Sequence, residues 1–237
     1  MRELVGMTLA LAAMIGLVGV LSPLTERPSE LTSADTPTAD PPITVVLDAG
    51  HGGEDGGAIG VNGVLEKDLN LSVASTVCDM LVSAGAAVVM TRTDDRLLYT
   101  EEQNIKGHRK EFDLRNRLEL SEGYENGLLV SIHMNTFPQE SCRGLQVYYS
   151  PNDPDSRSLA ACVQDGARLQ LADSNTRKIK EAGSSIYLLH RSQNPAVMIE
   201  CGFLSNTEEC EKLSDEDYRR RLSFAIFCGI MEYINQK

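Results

Sequence analysis

After position 42, short apolar runs alternate with stretches in which apolar residues recur at helical spacing. The runs predict strands, with the sequences "ITVVLD", "AAVVMTR", "GLLVSIHMN", "RGLQVYYS", "SSIYLL" and "PAVMIE". The helical spacing predicts helices over residues 66–84, 113–124 and about 154–171, and a last one after Ser214. Because strands and helices alternate, the pattern predicts an α/β fold over residues 43–237. We expect a single three-layer sandwich whose central sheet is mostly parallel or mixed, with helices on both faces.

Three residues indicate where helices begin or end. Gly85 directly follows the first predicted helix, and glycine is common at the carboxyl end of a helix. Ser214 and Asp217 have the spacing of a capping box. This spacing places the start of the last helix at Ser214.

The first 42 residues have a different pattern. Residues 4–21 are apolar and uncharged, and residues 22–42 are rich in Pro, Ser, Thr and Asp. The apolar stretch is short for a membrane span and long for a signal-peptide core, and the second composition buries too little apolar surface to fold. We therefore predict a signal or membrane-anchor segment over residues 1–21, a disordered linker over residues 22–42, and an extracytoplasmic domain. A retained anchor is favoured because no convincing cleavage site follows the apolar stretch, and a cleaved signal stays open.

Charge and cysteine content exclude two kinds of site. The formal net charge of −12 argues against nucleic-acid binding, which requires a basic surface. None of the six cysteines forms a C-x-x-C pair, which argues against a thiolate metal cluster. Export would permit disulfides, but the sequence does not choose a pairing.

Three polar side chains follow or end predicted strands. His51 lies in the glycine-rich loop "DAGHGGEDGG" directly after the first strand, His133 ends "GLLVSIH", and Glu200 ends "PAVMIE". Ligand sites of parallel sheets collect at the carboxyl ends of strands, and the glycine loop can fold Glu66 back toward His51. Two imidazoles and one carboxylate suit a catalytic zinc site, which leaves the second carboxylate as a general base.

Each of these residues also has an ordinary interpretation. A loop histidine is commonly a surface residue, Glu66 could be a helix-start carboxylate favoured by the helix dipole, and Glu200 could belong to a buried ion pair. Only their combination indicates a metal site. A phosphate loop is disfavoured because the glycine loop lacks the Lys-Ser/Thr of a P-loop and carries carboxylates.

Three further residues are weaker candidates for a role in the site. Cys201 as a nucleophile is disfavoured because neighbouring strand residues point to opposite faces, so that Cys201 and Glu200 cannot both line one cleft. His108 lies in a charged stretch and is interpreted as a solvated loop residue. His190 has neither glycine nor strand-end context and is only a spare ligand candidate.

At these positions the chain resembles the zinc-dependent N-acetylmuramoyl-L-alanine amidases of the type 3 family. The resemblance runs over essentially all of residues 43–237. The motifs that carry it occur in family order: "VVLDAGHGGEDGGA", "EKDLNL", "RLELSEGYENGLLVSIHMN", "RGLQVYYS" and "PAVMIECGFLSN". Ala49 and Gly56 stand where prolines are frequent in the family. Within the family, the chain is most similar to the germination-specific, spore-cortex members of Gram-positive endospore formers.

The resemblance implies a chemistry and residue roles. It implies that His51, Glu66 and His133 bind Zn²⁺ and that Glu200 is the catalytic carboxylate. The implied reaction is hydrolysis of the amide between N-acetylmuramic acid and L-alanine in peptidoglycan, on the way to muramic δ-lactam in the spore cortex. It further implies a location in the intermembrane space of the forespore. In some spore formers the subgroup also requires a lipoprotein partner.

Two other classes of function stay open at this point. A zinc carboxypeptidase or another metalloamidase could use the same four residues, although a carboxypeptidase usually needs a basic residue for the terminal carboxylate of its substrate. A non-catalytic wall-binding or regulatory domain is the other alternative, and the intact set of four residues argues against it.

Overall fold

The computed structural model of the protein describes residues 42–171 and 175–237. The predicted signal or anchor segment and the predicted linker, except for Pro42, lie outside the described residues. In the described part, no helix combines the length and the apolar character needed to cross a membrane.

The described residues form six strands and six helices. The strands are β1 (Thr44–Ala49), β2 (Ala87–Met90), β3 (Gly127–Asn135), β4 (Gln146–Tyr149), β5 (Lys180–Glu181) and β6 (Ala196–Phe203). The helices are α1 (Glu66–Ser83), α2 (Arg109–Glu122), α3 (Asp155–Leu171), α4 (Tyr187–Arg191), α5 (Thr207–Ser214) and α6 (Glu216–Ile234).

All six strands belong to one mixed sheet, in the order β2-β1-β3-β6-β4-β5. Strands β2, β1, β3 and β6 are parallel, whereas β4 runs antiparallel to β6 and parallel to β5. The carboxyl ends of β1, β3 and β6 therefore meet at one edge of the sheet. Ligand sites of α/β sheets lie at that edge.

Helices cover both faces of the sheet. On one face, α1, α3 and α6 pack around the larger apolar core, to which β1 contributes Val45 and Leu47 and β3 contributes Val130 and Ile132. On the other face, α2 and α4 cover a smaller core around Val46 and other buried residues. The α/β prediction, with a mixed sheet and helices on both faces, is confirmed.

Several predicted elements differ from the observed ones. The run "SSIYLL" was predicted to be a strand, but its second half begins α4, where the His190 N–H donates to the carbonyl of Ile186. The last helix starts one residue later than predicted: Asp215 is its N-cap and accepts from the Tyr218 N–H at 2.8 Å. The short elements β5 and α5 were not predicted. All six cysteines are free thiols.

Candidate metal centre

His51, Glu66 and His133 lie together at the carboxyl edge of the sheet. His51 is in the loop after β1, His133 is near the end of β3, and Glu66 is the first residue of α1. One ligand atom from each residue lies within 4.8 Å of the other two. The three residues that were predicted from different parts of the chain are therefore brought to one point.

The Glu66 carboxylate is the centre of this cluster. Its Oε1 lies 2.9 Å from His133 Nδ1 and 3.2 Å from His51 Nε2. The backbone N–H groups of Met134 and Ala58 donate to Oε1 at 3.1 Å and to Oε2 at 2.8 Å. Burial alone would raise the pKa of Glu66, but the two imidazoles hold it well below its usual range. The cluster therefore contains one ionised carboxylate.

A second carboxylate lies behind His51. Asp55 Oδ2 is 2.9 Å from His51 Nδ1, on the side of the ring that faces away from Glu66. Burial lowers the pKa of His51, but the neighbouring carboxylates of Asp55 and Glu66 outweigh it and raise the pKa to about 9. A carboxylate on the outer ring nitrogen fixes the orientation of a metal-binding imidazole. The sequence reasoning missed Asp55, although its spacing of four residues from His51 within one loop was visible.

Glu200 stands beside His133 on the neighbouring strand. The two residues are register partners between β3 and β6, so their side chains lie on the same face of the sheet. Burial raises the pKa of Glu200 above its ordinary value. The Glu66 carboxylate raises it further, whereas His133 lowers it by less than burial raises it. Glu200 Oε2 is buried and has no hydrogen-bond partner among the described residues. A buried carboxylate oxygen that is left open in this way is suited to binding a ligand or a water molecule.

The backbone of the glycine loop is held in unusual conformations. His51 itself has φ +61°, which costs a non-glycine residue about 1–3 kcal/mol, and Gly52 and Gly53 have φ +141° and +53°. A Cβ on Gly57 (φ +67°) would lie 2.5 Å from Glu66 Oε2 and 2.8 Å from His51 Cδ2. The glycines therefore allow the loop to pass directly against the cluster side chains.

Two buried arginines fix the carbonyl groups of this loop. Arg117 Nη1 donates to the carbonyl of Ala49 at 2.8 Å, and Nη2 donates to that of His51 at 2.7 Å. Arg92 Nε donates to the carbonyl of Ala49 at 2.8 Å, and Nη2 donates to that of Gly50 at 3.0 Å. Three consecutive carbonyls are thus held by guanidinium groups, which stabilises the strained conformation of His51.

Arg117 is itself held by two carboxylates. It pairs with Asp48 at 2.6 Å and with Asp113 at 2.9 Å, and all three side chains are buried. Burial would raise the pKa of Asp48, but Arg117 and the Ser131 hydroxyl keep it below its ordinary value. Removing one partner of a buried pair commonly costs about 3–5 kcal/mol. The sequence reasoning missed this network, although a charged Asp48 at the end of an apolar strand signalled that a buried partner was needed.

The three remaining candidates lie outside the cluster. His108 and His190 are exposed, and neither belongs to the group of potential metal ligands. Cys201 is buried in the larger core, and burial raises the pKa of its thiol. Its position on the face opposite Glu200 agrees with the prediction that it is not a nucleophile in the same cleft.

The donor set fits a divalent metal such as zinc. Ligand atoms around a tetrahedral zinc ion lie about 3.3 Å apart, and the distances from Glu66 Oε1 to the two imidazoles are 3.2 and 2.9 Å. Three protein ligands are typical of a catalytic rather than a structural zinc site. With Glu200 beside them, the fold and the donor set are those expected of a metal-dependent hydrolase.

Comparison with known proteins gives the family. The N-acetylmuramoyl-L-alanine amidase family Amidase_3 matches residues 45–232. The chain is 39% identical over 193 residues to the germination-specific N-acetylmuramoyl-L-alanine amidase of Bacillus subtilis, covering 81% of this chain and 80% of that protein. The chain therefore belongs to the N-acetylmuramoyl-L-alanine amidase family, as its motifs predicted.

Solved structures agree with this assignment. The CwlD amidase from Clostridioides difficile, solved in complex with the GerS lipoprotein, is 38% identical with a TM-score of 0.78, over 82% of this chain and all of that chain. The amidase AmiC2 of Nostoc punctiforme is 29% identical with a TM-score of 0.70, over 81% of this chain and 97% of that chain. The α/β fold is therefore shared across the family.

The first prediction concerns Gly57, whose missing Cβ leaves room for Glu66 and His51. Gly57→Ala should weaken zinc binding at least tenfold, because the added methyl group displaces both side chains. Gly85→Ala is the matched control: Gly85 has φ +86° and open space around it, so it carries the same backbone cost without the clash. Titration with a competing zinc chelator gives both affinities. Equal zinc affinities in the two variants would contradict the assigned role of Gly57.

The second prediction concerns the proton on His51. A pKa of about 9 means that His51 is protonated near pH 7, and zinc requires the neutral imidazole. Zinc binding near pH 7 should therefore release about one proton from His51. The release should fade toward pH 9, while zinc affinity rises about tenfold per pH unit below that value. Calorimetry in two buffers of different ionisation enthalpy measures the release.

Asp55→Asn provides the control for this measurement. The substitution removes a carboxylate that favours the protonated ring, so the number of protons released near pH 7 should fall. A binding heat that does not depend on the buffer in the unsubstituted protein would mean that His51 is already neutral, and would contradict the prediction.

Proposed function

We propose that the protein uses Zn²⁺, bound by His51, Glu66 and His133, to hydrolyse the amide between N-acetylmuramic acid and L-alanine in peptidoglycan. The observation that carries the proposal is the position of Glu200. Its carboxylate is buried, has one oxygen without a hydrogen-bond partner in the described part of the chain, and lies beside His133. His133, His51 and Glu66 in turn offer ligand atoms within 4.8 Å of one another. Membership in the amidase family identifies the bond that is cleaved.

Each group of residues in the site has a separate role in the reaction. Zinc in such a site supplies Lewis-acid chemistry, which makes a water molecule more acidic and polarises a carbonyl oxygen. Glu200 accepts the proton of the attacking water through its open Oε2 and returns it to the nitrogen of the departing L-alanine. Its raised pKa favours the first transfer, because a more basic carboxylate is a better acceptor of the water proton. Asp55 and the Arg117 network keep His51 in place.

We place this reaction in the maturation of the spore cortex. The support is the similarity to the germination-specific amidase of B. subtilis and to CwlD. Removal of the stem peptide from muramic acid exposes the lactyl carboxyl group, from which muramic δ-lactam is formed by a later step. We also propose an extracytoplasmic protein, exported by its first 21 residues, because residues 4–21 are apolar and uncharged. These residues then serve as a retained membrane anchor, with a cleaved signal as the alternative.

A lipoprotein is the proposed protein partner. CwlD was solved in complex with the GerS lipoprotein, and the chain covers the whole of that CwlD chain. Such a partner fits a membrane-associated protein, because both molecules would be confined to the same surface.

The third prediction is the product of the reaction. Cortex peptidoglycan incubated with the zinc-loaded protein should yield muramic acid without peptide, together with free peptides that begin with L-alanine. Mass spectrometry of the muropeptides identifies both products. Shortened stem peptides that stay attached to muramic acid would instead identify a carboxypeptidase and overturn the proposal.

The fourth prediction separates the catalytic carboxylate from the ligands. Glu200→Gln should lower kcat by about two to four orders of magnitude, because a general base is lost. Zinc content and thermal stability should stay close to those of the unsubstituted protein, since Glu200 is not among the three ligands. Glu119→Gln on the exposed face of α2 is the control and should leave kcat unchanged. A Glu200→Gln variant with activity within a few-fold of the unsubstituted protein would assign the proton transfer to another group.

A further inference from the structure

A groove leads away from the metal centre between α2 and the start of α4. It has a volume of about 240 Å³ and reaches both His51 and His133. Apolar side chains form much of its lining: Leu114, Ile186, Leu188 and Met198. The groove thus begins at the proposed zinc ligands and is suited to the part of the substrate on one side of the scissile amide.

Lys110 is the cation of this groove that is open to a ligand. Its side chain is 62% exposed, and its ammonium lies 2.9 Å from Asp55 Oδ2. The other cation in the lining, Arg117, is 2% exposed and already bound to Asp48 and Asp113. An ammonium group has three donors, so Lys110 can keep its contact with Asp55 and still bind another anion.

The charge of Lys110 distinguishes the two halves of the substrate. The muramic acid side offers hydroxyl and acetamido groups, and its lactyl carboxyl group is consumed in the amide. The peptide side offers a carboxylate, because the second residue of the stem is D-glutamate linked through its side chain, which leaves the α-carboxyl group free. A groove that combines a cation with apolar side chains therefore suits the peptide. The cation would bind the α-carboxylate, and the apolar side chains would contact the L-alanine methyl group.

The spacing between the metal centre and Lys110 suits the second residue. The Lys110 ammonium is separated from His51 by Asp55, through two contacts of 2.9 Å each. Both contacts use the same Asp55 oxygen, so the ammonium lies at most about 6 Å from His51 Nδ1, and two extended peptide residues span at most about 7 Å. Because His51, His133 and Lys110 line the same groove, a peptide that enters it from the metal centre would bring the α-carboxylate of its second residue within reach of Lys110.

We infer that Lys110 determines specificity for stem peptides whose second residue carries a free α-carboxylate rather than an amide. The inference rests on the proposed amidase function. It adds that the peptide side of the scissile amide occupies the groove. Because the groove includes two proposed zinc ligands, His51 and His133, and Asp55 beside His51, the test must separate substrate binding from zinc binding.

The experiment compares two matched muropeptides that differ only in that group, N-acetylmuramoyl-L-alanyl-D-glutamate and its α-amide, both with the side-chain carboxyl group of glutamate blocked as an amide. For the zinc-loaded full chain, kcat/KM should be about tenfold higher for the carboxylate than for the amide, the size of one charge-assisted hydrogen bond at an accessible site. In Lys110→Ala this ratio should fall to about one, through a higher KM for the carboxylate substrate. A loss of zinc would lower the rates of both substrates equally and leave the ratio unchanged.

Lys106→Ala is the control variant. Lys106 is exposed and precedes α2 but does not line the groove, so its removal tests the general effect of one positive charge. Its ratio of kcat/KM should equal that of the unsubstituted protein. A ratio that Lys110→Ala leaves unchanged, or that Lys106→Ala lowers equally, would overturn the inference. If the unsubstituted protein cleaves neither muropeptide nor cortex peptidoglycan, the proposed function fails and the inference fails with it.

Discussion

The candidate site depends on the buried ion pair between Arg117 and Asp48. The pair joins α2 to the end of β1, and the remaining donors of Arg117 hold the backbone on both sides of Gly50. An arginine buried in this way would be costly without its partners. Since the partners are all present, the same interaction that satisfies a buried charge also fixes the strained loop that presents His51. The stability of the fold and the geometry of the metal centre therefore both depend on the ion pair between Arg117 and Asp48.

Much of the site could be predicted from the sequence because strand ends are easy to locate. The long apolar runs of β1, β3 and β6 identify strands, and the carboxyl ends of parallel neighbours meet at one edge of a sheet. That rule alone brings His133 and Glu200 together, and the observed register makes them direct neighbours. Glu66 could be added because a glycine-rich loop followed by a helix allows a sharp return of the chain.

What could not be predicted depends on contacts between distant residues. The helix that carries Arg117 has a polar pattern typical of a surface, and nothing local indicates that this guanidinium reaches the carbonyls of the glycine loop. The role of Gly57 depends on the side chains of Glu66 and His51, which approach it across the site. The segment before His190 was wrongly predicted to be a strand because four consecutive apolar residues carry no period that separates a strand from a short helix.

The central claim is that two imidazoles and one carboxylate of this chain bind zinc and leave a position for water. X-ray absorption at the zinc edge of the zinc-loaded protein tests it most directly, because the spectrum distinguishes nitrogen and oxygen from sulfur and reveals imidazole rings. We predict a four-coordinate zinc with two imidazoles and otherwise oxygen, at distances of about 2.0–2.2 Å. A sulfur ligand at about 2.3 Å, or fewer than two imidazoles, would contradict the account.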